Sequence, residues 1–193
     1  MEKLQRSDLY SLEQYAEVRN EFRTKVMQHK KRRSIELGPN VRLLFEDRLI
    51  MQYQIQEMLR IERIFEPAGI QEELDAYNPL IPDGSNLKAT MMIEFSDIEE
   101  RKAALEKLLG IEKMTWLKIA DFEKIFPIAN EDMDRETEEK TSSVHFLRYE
   151  LTSEMIAVLK SGSELSAGID HPEYSCTVTV EEDVRKALIK DLD

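Results

Sequence analysis

The chain has a single cysteine, Cys176, and therefore no partner for an intramolecular disulfide. Its first residues, Met1-Glu2-Lys3-Leu4-Gln5-Arg6, contain no apolar run that would serve as a secretion signal. Nowhere do apolar residues approach the roughly 18 in succession that a membrane-spanning helix requires. These absences predict a reducing, cytoplasmic compartment and no membrane partner. Glycine and proline are scarce, six of each in 193 residues, which excludes collagen-like and low-complexity architectures. Cations are in the minority: 27 Lys and Arg against 39 Asp and Glu leave a formal charge of −12. Such a field repels polyanions and argues against nucleic acid.

Motifs that carry chemistry are equally sparse. His29, His145 and His171, with Cys176, are the only soft ligands, and none has the His-x-x-x-His, Cys-x-x-Cys or Glu-x-x-His spacing of metal sites. Gly-x-Ser-x-Gly is missing, and Cys176 sits in an alternating strand as a small hydrophobe rather than a nucleophile. The segment Ile81-Pro82-Asp83-Gly84-Ser85-Asn86 has one glycine where phosphate-cradling loops have several. No cofactor or metal follows from the residues.

What is present is a globular composition, 41% hydrophobic and 34% charged, of a length that suits one domain over 1–193. Residues 1–86 read as a helix-rich part with a β-hairpin, and 87–193 as a sheet-forming part. After Ser7 as N-cap, Leu12, Tyr15, Val18, Phe22 and Val26 recur at helical spacing, and the helix runs to about Arg33. The basic run His29-Lys30-Lys31-Arg32-Arg33 reads as a solvated helix end whose cations complement the dipole; the functional alternative is contact with phosphate or an acidic partner. Ile35, Leu37, the turn Gly38-Pro39-Asn40 and Val41 to Phe45 predict a hairpin. A second helix is expected from Asp47 to Phe65, stopped by Pro67 and Gly69, and a third from Ile70 to Tyr77. Two prolines and a glycine then make 78–86 a loop.

In the second half one order of elements occurs twice. The first copy has a strand at 88–95, a helix from Asp97, with Glu100 as capping-box partner, to Gly110, and strands at 114–120 and 124–129. The second has a strand at 142–151, a helix at 152–162, and a hairpin joining 165–169 to 175–180. The acidic stretch 131–140 separates the copies, and a helix over 182–192 closes the chain. Duplication and the ordinary way of covering an antiparallel sheet both produce β-α-β-β twice. The expected class is α+β, with a mixed, largely antiparallel sheet and helices on one side.

Polar residues inside an apolar helix face are the best pointers to a site. On the second helix Gln54, Glu57 and Glu62 fall within the arc of Met51, Ile55, Leu59, Ile61 and Phe65. A buried carboxylate needs a counter-charge, a metal or a donor. One solution is a carboxylate site, joined in space by His145 or His171; the other is pairing with an arginine such as Arg48, Arg60 or Arg148. Outside the helix, the loop carrying Asn78, Asp83 and Asn86 is the main recognition candidate.

The runs Leu44-Phe45-Glu46-Asp47-Arg48, Tyr53-Gln54-Ile55-Gln56-Glu57-Met58-Leu59-Arg60, Tyr77-Asn78-Pro79-Leu80-Ile81-Pro82 and Gly168-Ile169-Asp170-His171-Pro172 resemble an uncharacterised bacterial family, domain of unknown function three thousand five hundred and one, over nearly the whole chain. The resemblance brings no catalytic residues. It implies a setting, since such proteins tend to be encoded beside rubrerythrin-like proteins and iron-sulfur oxidoreductases of the heterodisulfide-reductase type. The resulting expectation is a non-enzymatic accessory or binding protein, monomer or homodimer, that docks to a protein partner of a redox system through its acidic surface. The rival expectation is a small enzyme or metal-dependent module using the carboxylates of the second helix.

Overall fold

Alternating apolar residues assemble the strands into two antiparallel sheets in the computed structural model, which describes residues 2–129 and 140–193. The elements are α1 (Leu12–Lys31), β1 (Ser34–Leu37), β2 (Val41–Phe45), α2 (Arg48–Glu62), α3 (Pro67–Tyr77), β3 (Asn86–Ile93), α4 (Ile98–Lys107), β4 (Thr115–Ile119), β5 (Ile128–Ala129), β6 (Val144–Glu150), α5 (Ser153–Lys160), β7 (Leu165–His171), β8 (Tyr174–Thr179) and α6 (Glu182–Leu188). The α+β class stands. Of the acidic stretch 131–140, all but Lys140 lies outside the described residues.

The helix ends differ from the expectation where capping chemistry offers a choice. α1 is capped by Ser11 and Gln14 in a reciprocal box, while Ser7 sits in the preceding 3-10 turn. α2 starts from Asp47, whose carboxylate accepts from the Ile50 amide at 2.9 Å. It ends at Glu62, with Arg63 in the left-handed region at φ 56°. Pro67 opens α3 instead of stopping the helix before it, because the first helical position has no use for the amide hydrogen that proline lacks.

Strand order is β1-β2-β3-β6-β5 in one sheet and β4-β7-β8 in the other, so the single sheet expected is divided in two. Every ladder between named strands is antiparallel, and the parallel component reduces to one bridge between Gly84 and Leu192. Register places Leu43, Met91 and His145 in one inward row and Phe45, Ala89 and Leu147 in the next. The element order of the two copies is present as β3-α4-β4-β5 and β6-α5-β7-β8, with β3 paired to β6 and β4 to β7.

Two ties join the sheets. Leu117 and Ile125 exchange backbone hydrogen bonds of 3.0 and 2.7 Å, linking β4 to the segment that leads into β5. On the other side the Tyr174 hydroxyl donates to the Leu37 carbonyl at 2.7 Å and accepts from the Asn40 amide at 3.0 Å. Gly38, at φ +73°, leaves room for that ring; a Cβ there would fall 2.7 Å from the hydroxyl. Between the sheets Leu37, Leu43, Phe45, Met91, Leu117, Ile119, Tyr149, Ala167 and Ile169 form the main core. A fully buried Leu, Ile or Phe side chain contributes about 1.5–3 kcal/mol there.

β4 and β7 are held closely by Trp116, which lies across Gly168. A Cβ on that glycine would fall 2.3 Å from the indole and 2.5 Å from the Cys176 carbonyl. The indole Nε1 donates to Asp170 at 2.8 Å, and the Lys124 ammonium stands 4.2 Å from the ring centroid while pairing with the same carboxylate. A second cluster packs Ile50, Ile55 and Leu59 of α2 with Leu4, Leu74 and Ile81, and a third stacks Tyr15, Phe22 and Val26 of α1 on Tyr53.

Candidate functional site

Glu57, the leading sequence candidate, faces α1. Its Oε1 accepts from the Tyr15 hydroxyl at 2.7 Å and from Arg19 Nε at 2.8 Å, and its Oε2 from a terminal Arg19 nitrogen at 2.7 Å. The forked Arg19 contact, with Tyr15 added, holds the carboxyl below its usual range despite partial burial. Arg48 instead pairs with Asp8, and Arg148 with Glu150. Gln54 is half-buried and Glu62 exposed. Gln56 is the polar residue of α2 that is fully buried, accepting from the Tyr10 amide at 2.6 Å and donating to the Tyr10 carbonyl at 3.4 Å. The apolar arc of α2 is narrower than the sequence implies: Ile61 and Phe65 are 66% and 68% exposed.

The two histidines lie elsewhere. His145 is buried on β6, its Nε2 2.8 Å from the Ser142 carbonyl and 3.0 Å from the Thr141 hydroxyl. His171 closes the β7–β8 hairpin; Nε2 donates to the Leu109 carbonyl at 3.1 Å and Nδ1 accepts from the Glu173 amide at 3.2 Å, which places the proton on Nε2. Glu57, His145 and His171 thus occupy three separate environments. Among the described residues no group of three or more His, Cys, Asp or Glu is placed to hold a metal ion.

The loop candidates are bonded into the scaffold. Asn78 exchanges two hydrogen bonds with the Leu4 backbone, at 2.8 and 2.9 Å. Asp83 accepts from the Ser85 amide and hydroxyl and from Asn86 Nδ2, an arrangement that outweighs burial and keeps its carboxyl low. Asn86 is fully buried and also donates to Glu150 at 3.1 Å. Asp193 adds a backbone bond to Gly84 at 2.9 Å.

The basic run at the end of α1 departs most from its solvated reading. Arg33 is 1% exposed. It donates to the carbonyls of Phe45, Glu46 and Ala187 and is ion-paired to Asp191. Asp47 Oδ2 lies 2.5 Å from His29 Nε2 and 3.5 Å from Arg33 Nε. Burial opposes the Asp47 charge, but His29, Arg33 and the Ile50 amide together hold it below its ordinary value. Burial dominates at Asp191 and lifts it to about 6 against Arg33, with the Asp47 charge adding to the rise. The neighbouring Glu46 is also pushed up by burial; one oxygen accepts from Thr90 at 2.5 Å. A cationic residue inside a polar run carries no periodic signal of burial, so sequence reasoning misses it. These bonds join α1, the start of α2 and the chain end, and His29 is their half-exposed member.

The polar side chains of α2 shape a groove. Gln52 donates to the Asp8 carbonyl at 2.6 Å, Arg48 pairs with Asp8, and Gln56 clamps Tyr10, so the N-terminal segment is fixed along the helix. Between that segment, the end of α2 and α3 runs a groove of about 470 Å³ whose walls include Leu9, Tyr10, Leu12, Ile64, Phe65 and Ile70. Arg6, Ser11, Glu13 and Gln14 share the lining, so its size and mixed walls suit an inserted amphipathic side chain.

No curated protein matches the chain. A crystal structure from Burkholderia pseudomallei K96243, described as a novel protein of unknown function, is similar over 100% of both chains, with 51% identity and a TM-score of 0.95. The family model for proteins of unknown function DUF3501 matches residues 3–192, and the chain belongs to that family.

Proposed function

We propose that this is a non-enzymatic binding protein that docks a protein partner at the groove between the N-terminal segment, α2 and α3. One observation carries the reading: Ile61 near the end of α2 and Phe65 just beyond it stand 66% and 68% exposed, and Phe65 lines a 470 Å³ groove with a mixed apolar and polar lining. A large apolar side chain left in water forgoes about 1.5–3 kcal/mol that burial would supply. Such side chains beside a pocket mark contact sites, where a partner's aromatic anchor enters the groove and the rim excludes water. The side chains that suggested chemistry support the same view, since Glu57, His145, His171 and Asn86 are bonded into the fold. The family resemblance directs the search for the partner to a redox system. A chain of −12 suits a basic partner, attracted at long range and anchored by apolar contact.

The test is affinity capture from the native host, comparing the protein with an Ile61→Asp/Phe65→Asp variant of equal melting temperature. A stoichiometric partner lost from the variant supports docking at the groove. Equal recovery by both moves the contact to another surface.

A further inference from the structure

We infer a second recognition site: the cleft between the edges of β1 and β8 takes an extended strand, alternating acidic and apolar, from a protein partner. This goes beyond the binding reading at the α2 groove: it names a different guest, of acidic chemistry, on a separate surface.

Among the described residues β1 ends the five-stranded sheet and β8 ends the three-stranded one, so each has one edge with no strand paired to it there. Both edges border one cleft of about 800 Å³, touched by Ser34, Ile35 and Glu36 from β1, by Val178 and Thr179 from β8, and by Val180 just past its end. Successive residues of a strand point to opposite faces. Arg42 and Leu44 of β2 and Met92 of β3 line the cleft too, so it runs from the two strand edges onto the face of the five-stranded sheet that carries Ser34 and Glu36.

Ladder alternation identifies the backbone groups that face it. Phe45 donates to the Arg33 carbonyl, which places Ile35 and Leu37 among the positions bonded to β2 and turns the amides and carbonyls of Ser34 and Glu36 outward. Val180 donates to the Leu165 carbonyl, so Val178 bonds to β7 while Thr177 and Thr179 face outward. At one end the Tyr174 hydroxyl spans the two strands. Beyond it the edges offer donors and acceptors to a third strand, the geometry of β-strand addition.

The walls specify the occupant. Met27, Leu44, Met92 and Val184 supply apolar contact, and Lys30, Lys31 and Arg42 outnumber Glu36 and Glu181 on a chain whose total is −12. Arg42 reaches Glu36 at 2.7 Å and Glu94 at 3.1 Å on the surface, contacts that an incoming carboxylate can replace. A period of two puts acidic side chains on one face of the guest strand and apolar ones on the other, matching these walls.

The probe is a capped eight-residue peptide alternating Glu and Val, titrated into the full chain by NMR. Expected are saturable binding and slowed exchange at the amides of Ser34, Glu36, Thr177 and Thr179. Affinity should fall by about tenfold or more in Thr177→Pro, which removes an outward N–H, and in Lys31→Glu. A probe N-methylated at alternate residues should fail on the unaltered protein, a control independent of any variant's folding. Phe65→Asp should leave the peptide affinity unchanged, so loss of the α2 reading and loss of this one are distinguishable. No binding, equal binding of a Lys–Val peptide, undiminished binding of the N-methylated probe, or protection away from these amides overturns the inference. So does a peptide-free dimer abolished by Thr177→Pro, which would give the edges to a second copy of the chain.

Discussion

Arg33 shows what one side chain can hold together. Its guanidinium ties the end of α1 to β2, to the start of α2 through Asp47, and to the chain end through Asp191 and Ala187. Arg33→Ala would leave Asp191 buried without its cation, and urea unfolding should show a loss of about 3–5 kcal/mol. The same cluster sets a pH dependence. Asp191 has a folded value of about 6 against an ordinary 3.8, so the folded state binds its proton more tightly than the unfolded chain. Its ionisation therefore costs stability, and unfolding free energy should rise by on the order of 1–3 kcal/mol as pH falls from 7.5 to 5. Glu46 is shifted in the same direction. Asp47 is shifted downward, so its contribution is present above its ordinary value and is lost as pH falls through the folded one. Stability should peak near about pH 5, and Asp191→Asn should shrink the rise on acidification. None of this is legible in the sequence, because periodicity reports which face of a helix a residue occupies and says nothing about which distant side chain meets it. Glu57 illustrates the same limit: its place on α2 could be read, its partner Arg19 on another helix could not.

At the level of elements, apolar spacing and turn residues located the helices, the hairpin at Gly38 and the strands of both copies. The misplacements occur where two residues compete for one role. Ser11 displaces Ser7 as the cap of α1 because Gln14 completes its box. Pro67 opens a helix because its position within that helix, and not its presence, decides whether the ring clashes. The end of α2 is set by Arg63 in the left-handed region, a conformation that costs a residue with a Cβ. Arg63→Gly should relieve it and raise stability by about 0.5–1 kcal/mol, seen as a higher melting temperature with an unchanged α2 groove. The width of the α2 stripe was overestimated for a different reason. Hydrophobicity alone does not distinguish a residue facing the core from one reserved for a surface, and Ile61 and Phe65 belong to the second kind.

For the molecule as a whole, class and element order could be read, while the division into two sheets could not. Alternation assigns each strand an inward face, but β2–β3, β3–β6 and β4–β7 are pairings across long stretches of sequence whose choice depends on the assembled core. Closure between the sheets rests on few bonds. Tyr174→Phe removes both hydrogen bonds that span β8 and the β1–β2 turn while keeping the ring, and should cost about 1–2 kcal/mol in denaturant unfolding. A loss confined to slower or faster exchange at β1 and β8 amides would locate the effect at this seam.

The placement of Trp116 gives the protein a built-in optical reporter. It is the sole tryptophan, pressed on Gly168 and flanked by Asp170 and Lys124, so emission excited at the red edge of the absorption band comes from the β4–β7 contact alone. Far-ultraviolet dichroism reports the helices, among them α1, where Tyr15 stacks on Tyr10 and meets Phe22 edge to face. Recorded in one titration, the two colours separate melting of the helical layer from melting of the smaller sheet. Coincident curves would mean that both layers come apart in one step.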